Sequence, residues 1–223
     1  MRPTGLMALA CAAVLTVACN SNGRNDAART TDNGAVVGTT GEKIDTSVGR
    51  SDRSFVDDVT YAGSAEVELG RLAAERAASP DVKRFGQMMV EDHTKAGAEL
   101  QQIAKQYNVT PPAGLDDKHR DLKDRLSKLR GAEFDKAYID AMIDGHQDVV
   151  DKLESRVDEV NRTATLTGQQ PKDTNVKPET SDNSVTASLN AWAANTLPVA
   201  KAHLDKAKSI KDTLGRTNTT AKR

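Results

Sequence analysis

Three of the chain's four histidines, His93, His146 and His203, fall on the apolar side of helix-like segments, and one glutamate, Glu66, does the same. The pattern emerges at alternating steps of three and four, the spacing that keeps side chains on one bundle-facing stripe. The first stripe runs through Val59, Ala62, Glu66 and Leu69, and the second through Met89, His93, Ala96 and Leu100. The third runs through Met142, His146, Val149 and Leu153, and the fourth through Thr196, Ala200, His203 and Ala207. Each stripe carries one ionisable group. Neutral imidazoles and a carboxylate at three or four contact points suit a divalent first-row metal such as zinc, copper, manganese or iron, and bundle sites are built by projecting ligands from facing helices. A single seam histidine is more often a hydrogen-bonded core residue, and a seam glutamate often reaches solvent, so the case for metal rests on the four acting together.

They act together only if they lie at one height. Glu66 precedes Ser79 by about 13 residues and His93 follows it by about 14. At ~1.5 Å per residue both stand roughly 20 Å from that turn and should face one another. His146 lies about 14 residues into its segment and matches that level. For His203 the register is blurred by Pro198 and by a long loop before it.

The elements that must hold these residues are five helices, over residues 55–78, 80–108, 116–129, 132–161 and 183–214. Ser79 and Pro80 divide the first pair, as cap and as first helical position. Pro111 and Pro112 stop the second helix, Gly131 ends the short third, and Pro198 should bend the fifth. Aromatic content of 3% with one Trp fits helices packed through thin layers better than a β-sandwich. With 31 Lys and Arg against 32 Asp and Glu, the chain lacks the basic excess of a nucleic-acid binder.

Residues 1–18 read as a targeting signal: Arg2, then an apolar run from Leu6 to Val17 too short to span a bilayer. "TVAC", ending at Cys19, resembles the lipobox of bacterial lipoproteins, with Thr16 where Leu is usual. That resemblance implies removal of the signal and acylation of Cys19, which anchors the protein to a membrane without crossing it. The only other cysteine, Cys11, lies in the removed part, so no disulfide is expected. Asn20 after the cysteine leans toward the outer membrane, with the protein facing the periplasm. Residues 19–53, poor in apolar period, should be a flexible tether, 163–182 a long loop broken by Pro171 and Pro178, and 215–223 a disordered tail. The folded domain is then 54–214, and deleting most of 168–179 should change stability little.

Three blocks, "EVELGRLAAERAASPDVKRFGQMMVEDHTKAGAELQQIA", "GAEFDKAYIDAMIDGHQDVV" and "WAANTLPVAKAHLDKA", resemble the domain-of-unknown-function 4142 family over about residues 54–213. The resemblance implies an all-α, ferritin-like four-helix bundle with one additional short helix in a bacterial envelope protein. The family's recurring residues fall here on Asp92, His93 and Thr94, on His146, and on Leu197, Pro198 and His203. No reaction comes with the resemblance.

Several chemistries are disfavoured directly. Ferritin-like di-iron sites place a Glu three residues before a His, whereas Val90, Ile143 and Ala200 occupy those positions here. No Gly-rich phosphate loop or serine elbow stands in the sequence. His119, among charged neighbours, should be solvated. The favoured expectation is a lipid-anchored bundle with a structural or interaction role and no identified protein partner, nucleic acid being excluded. The alternative is a metal-binding bundle using Glu66, His93, His146 and His203, with a divalent transition metal as its cofactor.

Overall fold

The computed structural model describes residues 45–158 and 176–220, with side chains to residue 216. The signal, Cys19, most of the tether and residues 163–175 of the loop lie outside the described residues. Within them are five helices: α1 (Arg50–Arg76), α2 (Pro80–Gln106), α3 (Asp117–Ser127), α4 (Gly131–Glu154) and α5 (Ser184–Thr220). None is long and apolar enough to cross a membrane.

The four long helices form the bundle. Phe134, at the start of α4, packs with Ala73, Ala77 and Val82, while Val150 and Leu153 at its end pack with Phe55 and Val56, so α4 runs antiparallel to α1. By the same reasoning α5 runs parallel to α1, since Val185 and Leu189 share a cluster with Phe55, Ile210 shares the other with Ala73, and Thr186 donates to Asp52. Helices α2 and α4 therefore run the same way. The chain must climb back between them, and α3 with its flanking loops makes that crossover, its Lys123 Nζ donating to Glu68 of α1. A ferritin-like topology needs one such long connection.

The α1–α2 hairpin owes its closeness to two glycines. A Cβ on Gly70 would come within 2.5 Å of the Gly86 carbonyl oxygen, and one on Gly86 within 2.7 Å of Ala73 Cβ. The backbones touch there, which fixes the register. The turn itself departs from expectation at Ser79, whose side chain makes no cap. The backbone N–H groups of Ala78 and Ser79 instead donate to the buried Asp135 carboxylate, at 3.1 and 2.8 Å. Pro80 does take the first helical position.

Helix boundaries differ from the sequence reading at both ends of the bundle. Helix α1 begins at Arg50, inside the expected tether, because Asp52 is buried and paired with Arg156 Nη1 at 2.6 Å and with Thr186 Oγ1 at 2.7 Å. Helix α4 stops at Glu154 rather than at 161 for the same reason. Leaving the helix lets the Arg156 guanidinium reach Asp52 and lie 4.3 Å from the centroid of the Phe55 ring. Val157 then pairs with Pro178, and Glu179 N–H donates to the Arg156 carbonyl. The expected loop is thus pinned at 176–179, and deleting through Glu179 would remove backbone pairing. Helix α5 passes through Pro198, is capped by the Asn183 side chain at its start, and runs on to Thr220 through most of the expected tail.

Arg156→Ala would leave the Asp52 carboxylate without its charged partner at the end of the bundle. Denaturant unfolding should show a loss of about 3 kcal/mol or more, the range for breaking a buried pair. The double variant with Asp52→Asn should recover part of it.

Candidate metal centre

Two apolar clusters fill the bundle, one around Phe55, Leu100, Leu153 and Leu189 and the other around Leu69, Phe85, Phe134 and Met142. Between them lies a polar layer. Glu66, His146 and His203 are buried, and His93 is 13% exposed by its side chain. All four sequence candidates are brought together. The three imidazoles stand at the corners of a near-equilateral triangle, with ring centroids 5.4 to 5.6 Å apart.

The glycine contact explains the pairing on the α1–α2 side. In an antiparallel hairpin facing residues have a constant sum, and the sum set by Gly70 and Gly86 also pairs Gly63 with His93. A Cβ on Gly63 would indeed lie 3.9 Å from His93 Nδ1. Glu66, one turn on, then reaches His93. Its Oε2 lies 2.9 Å from His93 Nδ1 and its Oε1 3.1 Å from His146 Nδ1. His146 Nδ1 also lies 2.9 Å from the Met142 carbonyl oxygen. On the other side, His203 Nε2 lies 2.9 Å from Asp92 Oδ2.

Each histidine therefore turns one nitrogen toward an acceptor oxygen, a geometry that in the neutral ring suits a proton there and a lone pair on the other nitrogen. The lone pairs converge. His146 Nε2 is 3.4 Å from His203 Nδ1, and His93 Nε2 is buried with no hydrogen-bond partner among the described residues. One nitrogen from each ring lies within 4.8 Å of the others. Metal–nitrogen bonds of about 2.0 Å require nitrogens roughly 3.3 Å apart in a tetrahedral site, so inward shifts of an ångström or so suffice.

Electrostatics follow from the same contacts. Burial alone pushes the Glu66 carboxyl up, but His93 and His146 outweigh it and hold it at about 2. Burial pushes His93 down, and the Glu66 charge more than reverses this, leaving it raised. For His203 burial and repulsion from the other two imidazoles outweigh the Asp92 hydrogen bond, and its pKa is lowered. The Tyr138 phenol, buried and near the Glu66 charge, is raised, and its hydroxyl has no partner among the described residues.

Helical spacing alone passes over two residues. Asp92, singled out only through the family resemblance, sits one position off the α2 stripe, yet it is the group that orients His203. Tyr138 is not singled out. His119 is also not solvated: its Nδ1 lies 2.6 Å from Asp116, the residue that caps α3.

This geometry defines an all-α, ferritin-like four-helix bundle with one additional short helix and a histidine-rich layer at its middle. The chain belongs to the family described as a domain of unknown function, DUF4142, whose model matches residues 38–168, more than half of its length. The match includes Glu66, His93 and His146 and ends before His203, short of the extent read from the sequence. The fold is also similar to the crystal structure of a DUF305 fragment from Deinococcus radiodurans, at 12% identity and a TM-score of 0.51, covering 75% of this chain and 97% of that one. No curated protein matches the chain.

The Glu66–His93 pair sets a pH window for the metal-free protein. Glu66, depressed below its ordinary 4.5, contributes stability that is complete above pH 4.5 and lost as pH falls toward about 2. His93, raised above its ordinary 6.5, contributes stability that is complete below pH 6.5 and lost as pH rises through its folded value. In chelator, the melting temperature of wild type minus that of Glu66→Gln should therefore be largest between pH 4.5 and 6.5. A difference unchanged from about pH 3 to about pH 9 would contradict the pairing.

Proposed function

We propose that this protein binds one divalent first-row transition metal through His93 Nε2, His146 Nε2 and His203 Nδ1. The observation that carries the reading is the convergence of one nitrogen from each of three imidazoles on three helices, all within 4.8 Å of one another. A proton can bridge one pair of such atoms; a metal ion serves all three. Imidazole donors favour zinc, copper, iron or nickel over magnesium or calcium. Glu66, a ligand in the reading from sequence, faces the outer nitrogens of His93 and His146 and is better placed to orient them, as Asp92 orients His203. Carboxylate–histidine–metal relays of this kind fix the tautomer and raise the basicity of the ligand.

The bundle is proposed to work at the bacterial envelope, anchored through lipid on Cys19 and facing the periplasm, most simply on the outer membrane. The lipobox-like "TVAC" supports this reading. Cys19→Ser should leave an unprocessed precursor or a soluble form, read by membrane fractionation and intact mass. A variant still processed at the normal site and membrane-bound would refute the anchor.

The metal reading is tested by melting curves of protein purified without added histidines, with each metal and with chelator. Wild type should be stabilised by at least one metal, by ~2.7 kcal/mol at a hundredfold excess over Kd, and His93→Ala or His146→Ala should lose that gain along with bound metal. A wild-type curve indifferent to every metal returns the histidines to packing and the protein to a structural or interaction role.

A further inference from the structure

We propose that the bound metal keeps one exchangeable coordination position, which takes a small ligand of up to three or so non-hydrogen atoms and opens on the seam between α2 and α5. The inference rests on the metal reading above and concerns what the metal does rather than whether it is held.

The protein supplies three nitrogens, and Glu66 and Asp92 face the other nitrogens of the imidazoles. Sites with three protein ligands leave a position for water or substrate, whereas structural sites close with four. Which face is open is decided by packing. Phe85 covers one side of the triangle, its ring centroid 6.5 Å from those of His146 and His203. His146 itself is wholly buried. Beside His93 and His203, and not lined by Phe85, a cavity of about 40 Å³ is bounded by both imidazoles, Glu66 and Asp92 together with Gly63 and Ala96. A cavity needs roughly 10–15 Å³ to hold one water, so this one has room for about three waters or one small anion.

The walls are kept low. A Cβ at Gly63 would lie 3.9 Å from His93 Nδ1, an ordinary contact, so packing does not demand glycine at this interior helical position, where it is costly relative to alanine. What glycine leaves there is open volume beside the His93 ring, on the Nδ1 edge that faces Glu66. Asp92, 39% exposed by its side chain, sits where the cavity meets solvent. A larger cavity of about 850 Å³ between α1 and α4 reaches Glu66 from the opposite direction, but none of the three imidazoles lines it. Ligand exchange would therefore belong to the α2–α5 side, where an incoming donor atom would replace a water on the metal with no change of oxidation state.

The test uses the full chain in detergent, loaded with copper(II), with metal content measured separately by elemental analysis and azide as the probe. Wild type should hold about one copper per chain and show a saturable azide-to-copper charge-transfer band. Gly63→Leu should keep its copper and bind azide at least ~10-fold more weakly. Gly97→Leu, the same change at an exposed α2 position with nothing within 4 Å, should match wild type. If Gly63→Leu loses its copper, Ala96→Leu on the opposing wall is read in its place. Copper bound without an azide band in wild type would overturn the open position and leave the metal site standing. Unaltered azide binding in the plugged variant would overturn the route, and absence of bound copper, zinc and iron alike would overturn the metal reading and this inference with it.

Discussion

A carboxylate held at the middle of a helical bundle is costly to desolvate, by several kcal/mol even after relaxation, and the rest of this structure is arranged around that constraint at Glu66. Two imidazoles approach its oxygens at 2.9 and 3.1 Å, close enough to offset that cost when either is protonated. The apolar residues are divided into clusters toward the two ends of the bundle, and their burial offsets the polar layer between them. The layer in turn specifies register. Sliding one helix by a turn would bury Glu66 or a histidine against leucine or valine with nothing to accept its hydrogen bond.

Register is set independently by backbone contact. Gly70 and Gly86 allow α1 and α2 to touch, and no larger residue fits at either position. The Asp135 carboxylate then ties the α1–α2 turn to α4 through the Ala78 and Ser79 N–H groups. Two contacts thus fix the three helices carrying Glu66, His93 and His146 before the site itself contributes any energy. A site placed on rigid helices by contacts outside it is held more closely than one placed on loops.

Much of this was legible in the sequence, for definite reasons. Steps of three and four put Glu66, His93, His146 and His203 on seam positions, and counting from the Ser79–Pro80 turn put the first two at one height. What periodicity cannot supply is which nitrogen faces which oxygen, and that detail moves Glu66 from ligand to orienting group. Asp92 lay off the stripe because helical spacing describes one face, whereas Asp92 reaches α5 from the edge of α2. The early end of α4 was hidden because Arg156 leaves the helix to meet Asp52, a partner more than a hundred residues earlier. His119 looked solvated from its charged neighbours, yet one of them, Asp116, is its hydrogen-bond partner.

The third imidazole comes from the part of the chain beyond the family match. Residues 38–168 include α1, α2, α3 and α4, and with them Glu66, His93 and His146, but His203 stands on α5. Joining α5 through a long connection costs little more than joining it through a short one, because closure entropy grows only with the logarithm of length. Its position must then come from contacts at its two ends. Asp45 and Asn183 form a backbone bridge, Thr186 donates to Asp52, and Asn190 donates to the Glu179 carbonyl, which fix the start of the helix. Ala207 and Ile210 enter the far apolar cluster and fix its other half. His203 lies between these anchors, held by Asp92 of α2. A metal shared by His93, His146 and His203 would therefore join α5 to the other helices at the mid-bundle level where polar groups of four helices face each other, and its binding free energy would act directly on the docking of that last helix.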